Sequence, residues 1–171
     1  MGDTDFRASS GPRSHRVWAP VGARPVALGH HRYQWLHVVA FVQPTSGEAV
    51  WYLCRGLSKP FFAELLATFA REAGAGRARS IILVLDNAGW HGPKGPVVPE
   101  GISLVFLPPY SPELQPAEHL WPLVDEPIVN RHITSLDELS TTIAERCRQL
   151  DAATLQPHTD FHWWPRPVQP S

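Results

Sequence analysis

The sequence predicts one domain of the mixed α/β class, in which helices pack on a sheet. Two valine-rich and aromatic-rich segments read as neighbouring strands, two amphipathic patterns read as helices, and one run of consecutive apolar residues is typical of a buried strand. With 171 residues, 43% of them hydrophobic and 18% charged, the chain can bury one sizeable core but not two ordinary ones.

The first two predicted strands form an antiparallel hairpin. Residues 36–42 and 49–55 are rich in valine, leucine and aromatic side chains. The segment between them, residues 43–48, contains Pro44 and Gly47, which are common turn residues.

A helix is predicted after the hairpin. Ser58 is a suitable N-cap, Pro60 stands in the first turn, and Gly74 and Gly76 stop the helix. The apolar residues between them recur at helical spacing: Phe61, Phe62, Leu65, Leu66, Phe69, Ala70 and Ala73.

Two further strands are predicted in the second half of the chain. Residues 81–85 are five consecutive apolar residues, which predicts a strand covered on both faces in the middle of a sheet. This strand ends on Asp86, and residues 102–107 form the next strand.

The proline-rich region that follows predicts loops and short helices. Half of the 18 prolines fall in residues 93–127. Pro116 suits the first turn of a helix that carries Glu118, and Pro122 and Pro127 must kink that helix or cut it short.

The last predicted helix begins with a capping box formed by Ser135 and Glu138. One face of the helix carries Leu136, Leu139, Ile143, Ala144, Cys147 and Leu150. We expect a single core that includes Leu65, Leu66, Phe69, Ile82, Val84, Val105, Leu139 and Ile143.

The end of the chain is predicted to be an extended tail. Residues 156–171 contain Trp163, Trp164 and four prolines.

The order of these elements fits a ribonuclease H-like mixed sheet flanked by helices. Such a sheet needs a strand before the hairpin, and residues 1–6 leave little room for its apolar part, so this first strand is expected to be short or missing. The expected organisation is a basic, disordered arm (residues 1–16), a partial ribonuclease H-like domain (residues 17–155) and a Trp/Pro-rich extended tail (residues 156–171).

The charge distribution is uneven although the net charge is only −1. Residues 1–35 hold five arginines and three histidines against two aspartates. A basic arm of this kind attracts a phosphate backbone, and a solvated tail with no ligand is the alternative.

Several classes of protein and site are disfavoured. No apolar run reaches the roughly 20 residues needed to cross a bilayer, and the start of the chain lacks signal-peptide features, so we expect a cytoplasmic protein with no membrane partner. Cys54 and Cys147 belong to no Cys-x-x-Cys pair and are expected to be core residues, and we expect no structural zinc site.

Asp86 and Glu118 are the candidate functional carboxylates. Asp86 ends the most apolar strand, where ligands meet an open α/β sheet. Glu118 comes 32 positions later, and the intervening turn returns the chain toward the same edge. A structural role for each stays open, because a strand-end aspartate can cap a turn and a first-turn glutamate can serve the helix dipole. Asp125 and Glu126 are reserve candidates.

The surroundings of these two carboxylates resemble one family. Residues 83–91 read Leu-Val-Leu-Asp-Asn-Ala-Gly-Trp-His, and residues 107–121 read Leu-Pro-Pro-Tyr-Ser-Pro-Glu-Leu-Gln-Pro-Ala-Glu-His-Leu-Trp. Both segments resemble the DDE superfamily endonuclease domain of mariner-type bacterial transposases, the insertion-sequence six-thirty family. The resemblance extends over residues 17–165 and makes Asp86 and Glu118 the second and third members of the family's acidic triad.

The family resemblance implies a metal-dependent DNA endonuclease and strand transferase. Two Mg²⁺ or Mn²⁺ ions, on the order of 4 Å apart, would be held by the triad. The implied partners are transposon-end and target DNA, with a homodimer or a partner transposase chain, and the implied location is the bacterial cytoplasm at the nucleoid. The candidate substrate-binding residues are Arg16, Arg24, Asn87, His91 and Lys94.

The sequence departs from the family pattern at its start. The family's first triad aspartate follows an apolar strand and stands in an Asp-Glu pair, whereas here only Asp3 and Asp5 are candidates. The family's N-terminal helix-turn-helix region is also absent, so we expect an N-terminally truncated transposase with feeble or no cleavage. The alternatives are a non-catalytic remnant that binds DNA or a partner transposase chain and, less favoured, an unrelated metal-dependent phosphohydrolase.

Overall fold

The structure, a computed structural model, describes residues 2–10, 30–86, 97–109 and 111–161. These residues form a mixed α/β fold, which confirms the predicted class. The strands are β1 (Gly2–Ser10), β2 (His30–Val42), β3 (Ala49–Cys54), β4 (Ile81–Leu85) and β5 (Ile102–Phe106). The α-helices are α1 (Lys59–Glu72), α2 (Trp121–Asp125), α3 (Leu136–Gln149) and α4 (Ala152–Thr159), and 3₁₀ helices span Pro112–Leu114, Pro116–Leu120 and Glu126–Ile128.

The strands form two sheets. An antiparallel sheet has the order β1-β2-β3, and β4 and β5 form a parallel pair. The predicted hairpin is therefore confirmed as β2 and β3. Within the described ranges, no helix is long and apolar enough to cross a membrane.

The first strand, expected to be short or missing, is present as the nine-residue β1. It also occupies most of the expected disordered arm, of which residues 11–16 lie outside the described residues. In β1, Asp3 stands opposite Val39 and Asp5 opposite His37. The physical reason for the difference is that the longer β2 offers an edge of backbone partners, and ladder pairing can outweigh weak intrinsic strand propensity.

The strand covered on both faces is β2 rather than β4. Alternate β2 residues belong to two different clusters of buried side chains. In β4, Leu83 and Leu85 are buried, whereas the Ile82 side chain is 70% exposed. The expectation that both faces of β4 are covered is therefore wrong, because the cluster that contains the α1 side chains covers only the face with Leu83 and Leu85.

The buried side chains of the described residues group into two clusters instead of one core. Leu139 and Ile143 of α3 belong to one cluster, and Leu65, Leu66 and Phe69 of α1 belong to the other. Leu36, Val38 and Ala40 of β2 line the first cluster, whereas Val39 and Phe41 line the second. The sheet therefore separates the clusters, and Val105, expected in the core, is 48% exposed.

The two long helices begin and end where the sequence predicts. Ser58 accepts a hydrogen bond from the Phe61 N–H at the start of α1, and Gly74 follows its end with a φ of 68°. Ser135 caps α3 by accepting from the Glu138 N–H at 3.1 Å. Cys147 is buried on α3, and burial raises the pKa of its thiol to about 11.

Helix α4 corrects the expected extended tail. Its N-cap is Asp151, which accepts a hydrogen bond from the Thr154 N–H at 2.8 Å. The helix continues through Pro157 to Thr159, so the first residues of the predicted tail are helical. Trp163 and Trp164 lie outside the described residues.

We expect Ser135→Ala to lower the free energy of unfolding by about 1 kcal/mol, because it removes the α3 cap. The matched control is Ser140→Ala, which makes the same substitution inside α3, where alanine is a better helix former. Urea unfolding of both variants tests the prediction, and an equal loss of stability in the two would contradict it.

The Glu138 carboxylate at the start of α3 predicts a dependence of stability on pH. Hydrogen bonds from the Thr134 hydroxyl and N–H hold the pKa of the Glu138 carboxyl below its ordinary value. Because the folded pKa is below the unfolded one, this stabilisation is present above the unfolded pKa of about 4.3 and is lost as pH falls through the folded pKa. Glu138→Gln should therefore flatten the fall in stability that occurs as pH drops below the unfolded pKa.

Candidate active site

Asp86 lies at the carboxyl end of the parallel strand pair. Leu85 of β4 stands beside Phe106 of β5. The Leu107 N–H donates to the Leu85 carbonyl at 2.8 Å, which extends the pairing to the residues that follow both strands. Asp86 is half-buried at this edge, where ligands meet parallel sheets.

A series of tight turns carries the chain from β5 to Glu118. The Leu114 N–H donates to the Ser111 carbonyl at 3.1 Å, and the Glu118 N–H donates to the Gln115 carbonyl at 3.0 Å. The second bond opens the 3₁₀ helix Pro116–Leu120, called the Glu118 helix below. The predicted short, proline-limited helix is confirmed as this element, α2 and the 3₁₀ helix Glu126–Ile128.

Burial fixes which side of the Glu118 helix faces the core. Ala117 and Leu120 are fully buried, and the helix contacts β1, β2 and α4. Glu118 is half-buried and His119 is exposed. The Glu118 side chain is therefore at the border between the core and solvent, where a carboxylate can remain charged.

Glu118 lines an open cavity of about 470 Å³. His119 lies in the same wall, and its ring packs edge-on against Phe161 with centroids 4.9 Å apart. Two side chains that the sequence did not single out, Glu113 and His158, also line the cavity, together with Pro122 and Leu123. In the sequence, Asp151 is the signal that could have placed His158 on a helix, because Asp151 caps the helix that carries His158.

The reserve candidate Glu126 has a structural partner. The Arg146 guanidinium of α3 forms an ion pair with the Glu126 carboxylate and donates to the Leu123 carbonyl at 2.8 Å. These contacts join α3 to the segment that follows the Glu118 helix.

The other predicted site residues are only partly described. Asp3 and Asp5 lie on β1, and β1 contacts the Glu118 helix. The candidate substrate-binding residues lie outside the described ranges: Arg16, Arg24, Asn87, His91 and Lys94. Within the described residues, no group of three or more His, Cys, Asp and Glu is arranged to hold a metal ion.

A model of the DDE superfamily endonuclease family matches residues 3–140. The chain belongs to this family. The matched residues include Asp3, Asp5, Asp86 and Glu118, and the match ends before α4.

Known proteins are similar to the chain in sequence and in structure. It is 33% identical over 108 residues to the uncharacterized protein y4pE/y4sA of Sinorhizobium fredii, covering 63% of the chain and 78% of that protein. Its structure resembles the Mos1 transposase paired-end complex with left transposon end (TM-score 0.61, 12% identity, 92% of this chain and 50% of that one). The Mos1 strand transfer complex gives a TM-score of 0.61 at 14% identity, covering 92% of this chain and 48% of that one.

A third similar structure is the Mos1 mariner paired-end complex with Mn (TM-score 0.59, 12% identity, 92% of this chain and 50% of that one). These likenesses show a ribonuclease H-like fold. The chain spans about half the length of the Mos1 chain.

Proposed function

We propose that this DDE domain carries out metal-dependent DNA cleavage and strand transfer in DNA transposition, and that Asp86 and Glu118 are two of its metal-binding carboxylates. The observation that carries the proposal is their placement inside the family match. Asp86 ends β4 at the sheet edge, and Glu118 lines a cavity on a short helix that follows β5. The Mos1 complexes with transposon-end DNA and with Mn support the same substrate and cofactor classes.

The donor chemistry fits a hard divalent cation. Carboxylate oxygens suit Mg²⁺ or Mn²⁺, and Glu118 is accessible from the cavity. Asp86 and Glu118 would hold the ions, two in an intact family site. When bound, such ions activate the attacking oxygen and stabilise the leaving oxygen of a phosphate.

The third carboxylate is proposed to come from β1. Asp3 and Asp5 are the candidates because β1 contacts the Glu118 helix. Neither is followed by glutamate as in the family's Asp-Glu pair. We therefore propose that cleavage by the chain as it stands is weak.

Five further side chains are proposed to position the DNA. Arg16, Arg24 and Lys94 would pair with backbone phosphates, and Asn87 and His91, which follow Asp86, would donate hydrogen bonds to the phosphate near the cut. Transposon ends and target DNA are the proposed substrates, with a second transposase chain as a partner, in the bacterial cytoplasm.

A second candidate function is a non-catalytic remnant that binds DNA or a partner transposase chain. Neither Asp3 nor Asp5 stands in an Asp-Glu pair, and this favours the remnant. A site without a competent first carboxylate would hold a divalent ion weakly. The basic residues of 1–35 would then supply salt-dependent DNA affinity.

Plasmid nicking combined with DNA binding separates the two functions. We expect the purified chain to nick supercoiled DNA slowly with Mn²⁺ and more slowly with Mg²⁺, with no nicking in EDTA. DNA binding without nicking under every metal condition would favour the remnant. Fast cleavage would contradict the proposed weak activity and would make Asp3 or Asp5 a fully competent first carboxylate.

A further inference from the structure

Helix α4 lies beyond the family match at residues 3–140, yet it packs directly against the Glu118 helix. The Glu118 helix has only five residues. A 3₁₀ helix of this length has few internal hydrogen bonds, so packing by its neighbours must fix its orientation.

One side of the α4 segment is fixed along its length to the turn between β2 and β3. The buried Thr159 hydroxyl donates to the Pro44 carbonyl at 3.0 Å. Gly47 lies so close to α4 that a Cβ atom at this position would be 2.3 Å from the Ala152 carbonyl oxygen. The turn and α4 are therefore in direct backbone contact.

A neighbouring part of the α4 surface packs against the Glu118 helix. Leu155 is 1% exposed and packs in the same cluster as Leu120 and Trp121, at the end of the Glu118 helix and the start of α2. Phe161, just after α4, packs against the ring of His119. His158 lies on the wall of the same cavity as Glu118.

We propose that α4 and Phe161 position the Glu118 carboxylate by clamping its helix to the β2–β3 turn. Phe161 is the positioning residue that contacts the Glu118 helix, and Thr159 anchors the clamp to the turn. The catalytic consequence rests on the proposed function, whereas the clamp itself does not.

Hydrogen–deuterium exchange of residues 115–121 tests the clamp without requiring activity. We expect Phe161→Ala to raise the exchange rates there between about 2-fold and 10-fold, the range expected for losing one aromatic contact. Phe161→Leu should lie between this variant and the parent protein. Phe61→Ala is the matched control, because Phe61 is 37% exposed on α1.

A second pair of variants addresses the anchor at the turn. Thr159→Val keeps the shape of the side chain and removes the hydroxyl that bonds Pro44, so it should also raise exchange in residues 115–121. Thr141→Val, on the exposed side of α3, is its control. Exchange at the parent rate in both Phe161→Ala and Thr159→Val would overturn the proposal.

The functional consequence is measured as the Mn²⁺ concentration that gives half-maximal nicking. A loosened Glu118 helix should raise this concentration in Phe161→Ala by several-fold, with partial recovery in Phe161→Leu and no change in Phe61→Ala. Faster exchange with an unchanged Mn²⁺ requirement would overturn the positioning role. If the parent chain shows no Mn²⁺ response, the proposed function fails, and the exchange rates alone decide whether the clamp exists.

Discussion

Asp86→Ala and Glu118→Ala should each reduce Mn²⁺-supported nicking to the level of a metal-free reaction. Each substitution removes a carboxylate proposed to hold an ion at the scissile phosphate, and displacement of a reacting group alone can cost on the order of 100-fold in rate. Because parent activity is expected to be weak, the measurement is nicked product accumulated over hours, with EDTA defining the background.

Glu113→Ala is the matched control for these carboxylate variants. Glu113 lines the same cavity as Glu118 and is exposed, but it is not a proposed metal ligand. We expect it to retain at least about half of the parent activity, as for most exposed substitutions. Parent-level nicking by Asp86→Ala would remove Asp86 from the site, and background-level nicking by Glu113→Ala would add Glu113 to it.

Gly47→Ala should destabilise the protein by about 3 kcal/mol. The backbone φ of Gly47 is 75°, and an added Cβ atom would lie 2.3 Å from the Ala152 carbonyl oxygen and 2.6 Å from the Gln156 nitrogen. Left-handed strain contributes about 1 to 2 kcal/mol, and separating the turn from α4 contributes a further 1 to 3 kcal/mol. Urea unfolding measures the total.

Gly74→Ala separates the two contributions to this loss. Gly74 has a similar φ of 68°, but an added Cβ atom would meet nothing within 4 Å. The control should therefore lose only about 1 to 2 kcal/mol. Equal losses at Gly47 and Gly74 would show that the close contact between the turn and α4 contributes little to stability.

Helices with local signals could be predicted from the sequence. Ser58 and Ser135 cap α1 and α3, and the apolar spacing that follows each cap depends only on nearby residues. Helix α4 has a comparable cap in Asp151, but Pro157 and the tryptophans beyond it favoured an extended tail. Pro157 lies inside this helix although proline cannot donate the i→i−4 hydrogen bond, so the packing of α4 through Leu155 outweighs the local signal.

The burial of each strand could not be predicted from its own residues. The apolar run of β4 is as continuous as that of β2, yet Ile82 is 70% exposed and Val39 is fully buried. What differs is whether a second layer covers the other face, and that depends on distant helices. The same limit applies to β1, whose pairing depends on the length of β2 rather than on its own composition.

The candidate site was predictable where a motif marks it. Asp86 and Glu118 stand in segments that resemble the family, and the family match includes both. Glu113 and His158 carry no such mark. They lie beside Glu118 because the turns after β5 and the docking of α4 bring distant parts of the chain to one cavity.

The most direct test of the proposed metal site is an anomalous difference map from crystals of the chain grown with Mn²⁺. We predict a peak within about 2.6 Å of carboxylate oxygens from both Asp86 and Glu118, the longest distance normal for hard divalent ions. A well-ordered Asp3 or Asp5 at the same peak would identify the first carboxylate. Ordered Asp86 and Glu118 carboxylates separated by more than about 8 Å, with no shared peak, would contradict the site, since two ligand distances cannot span that gap.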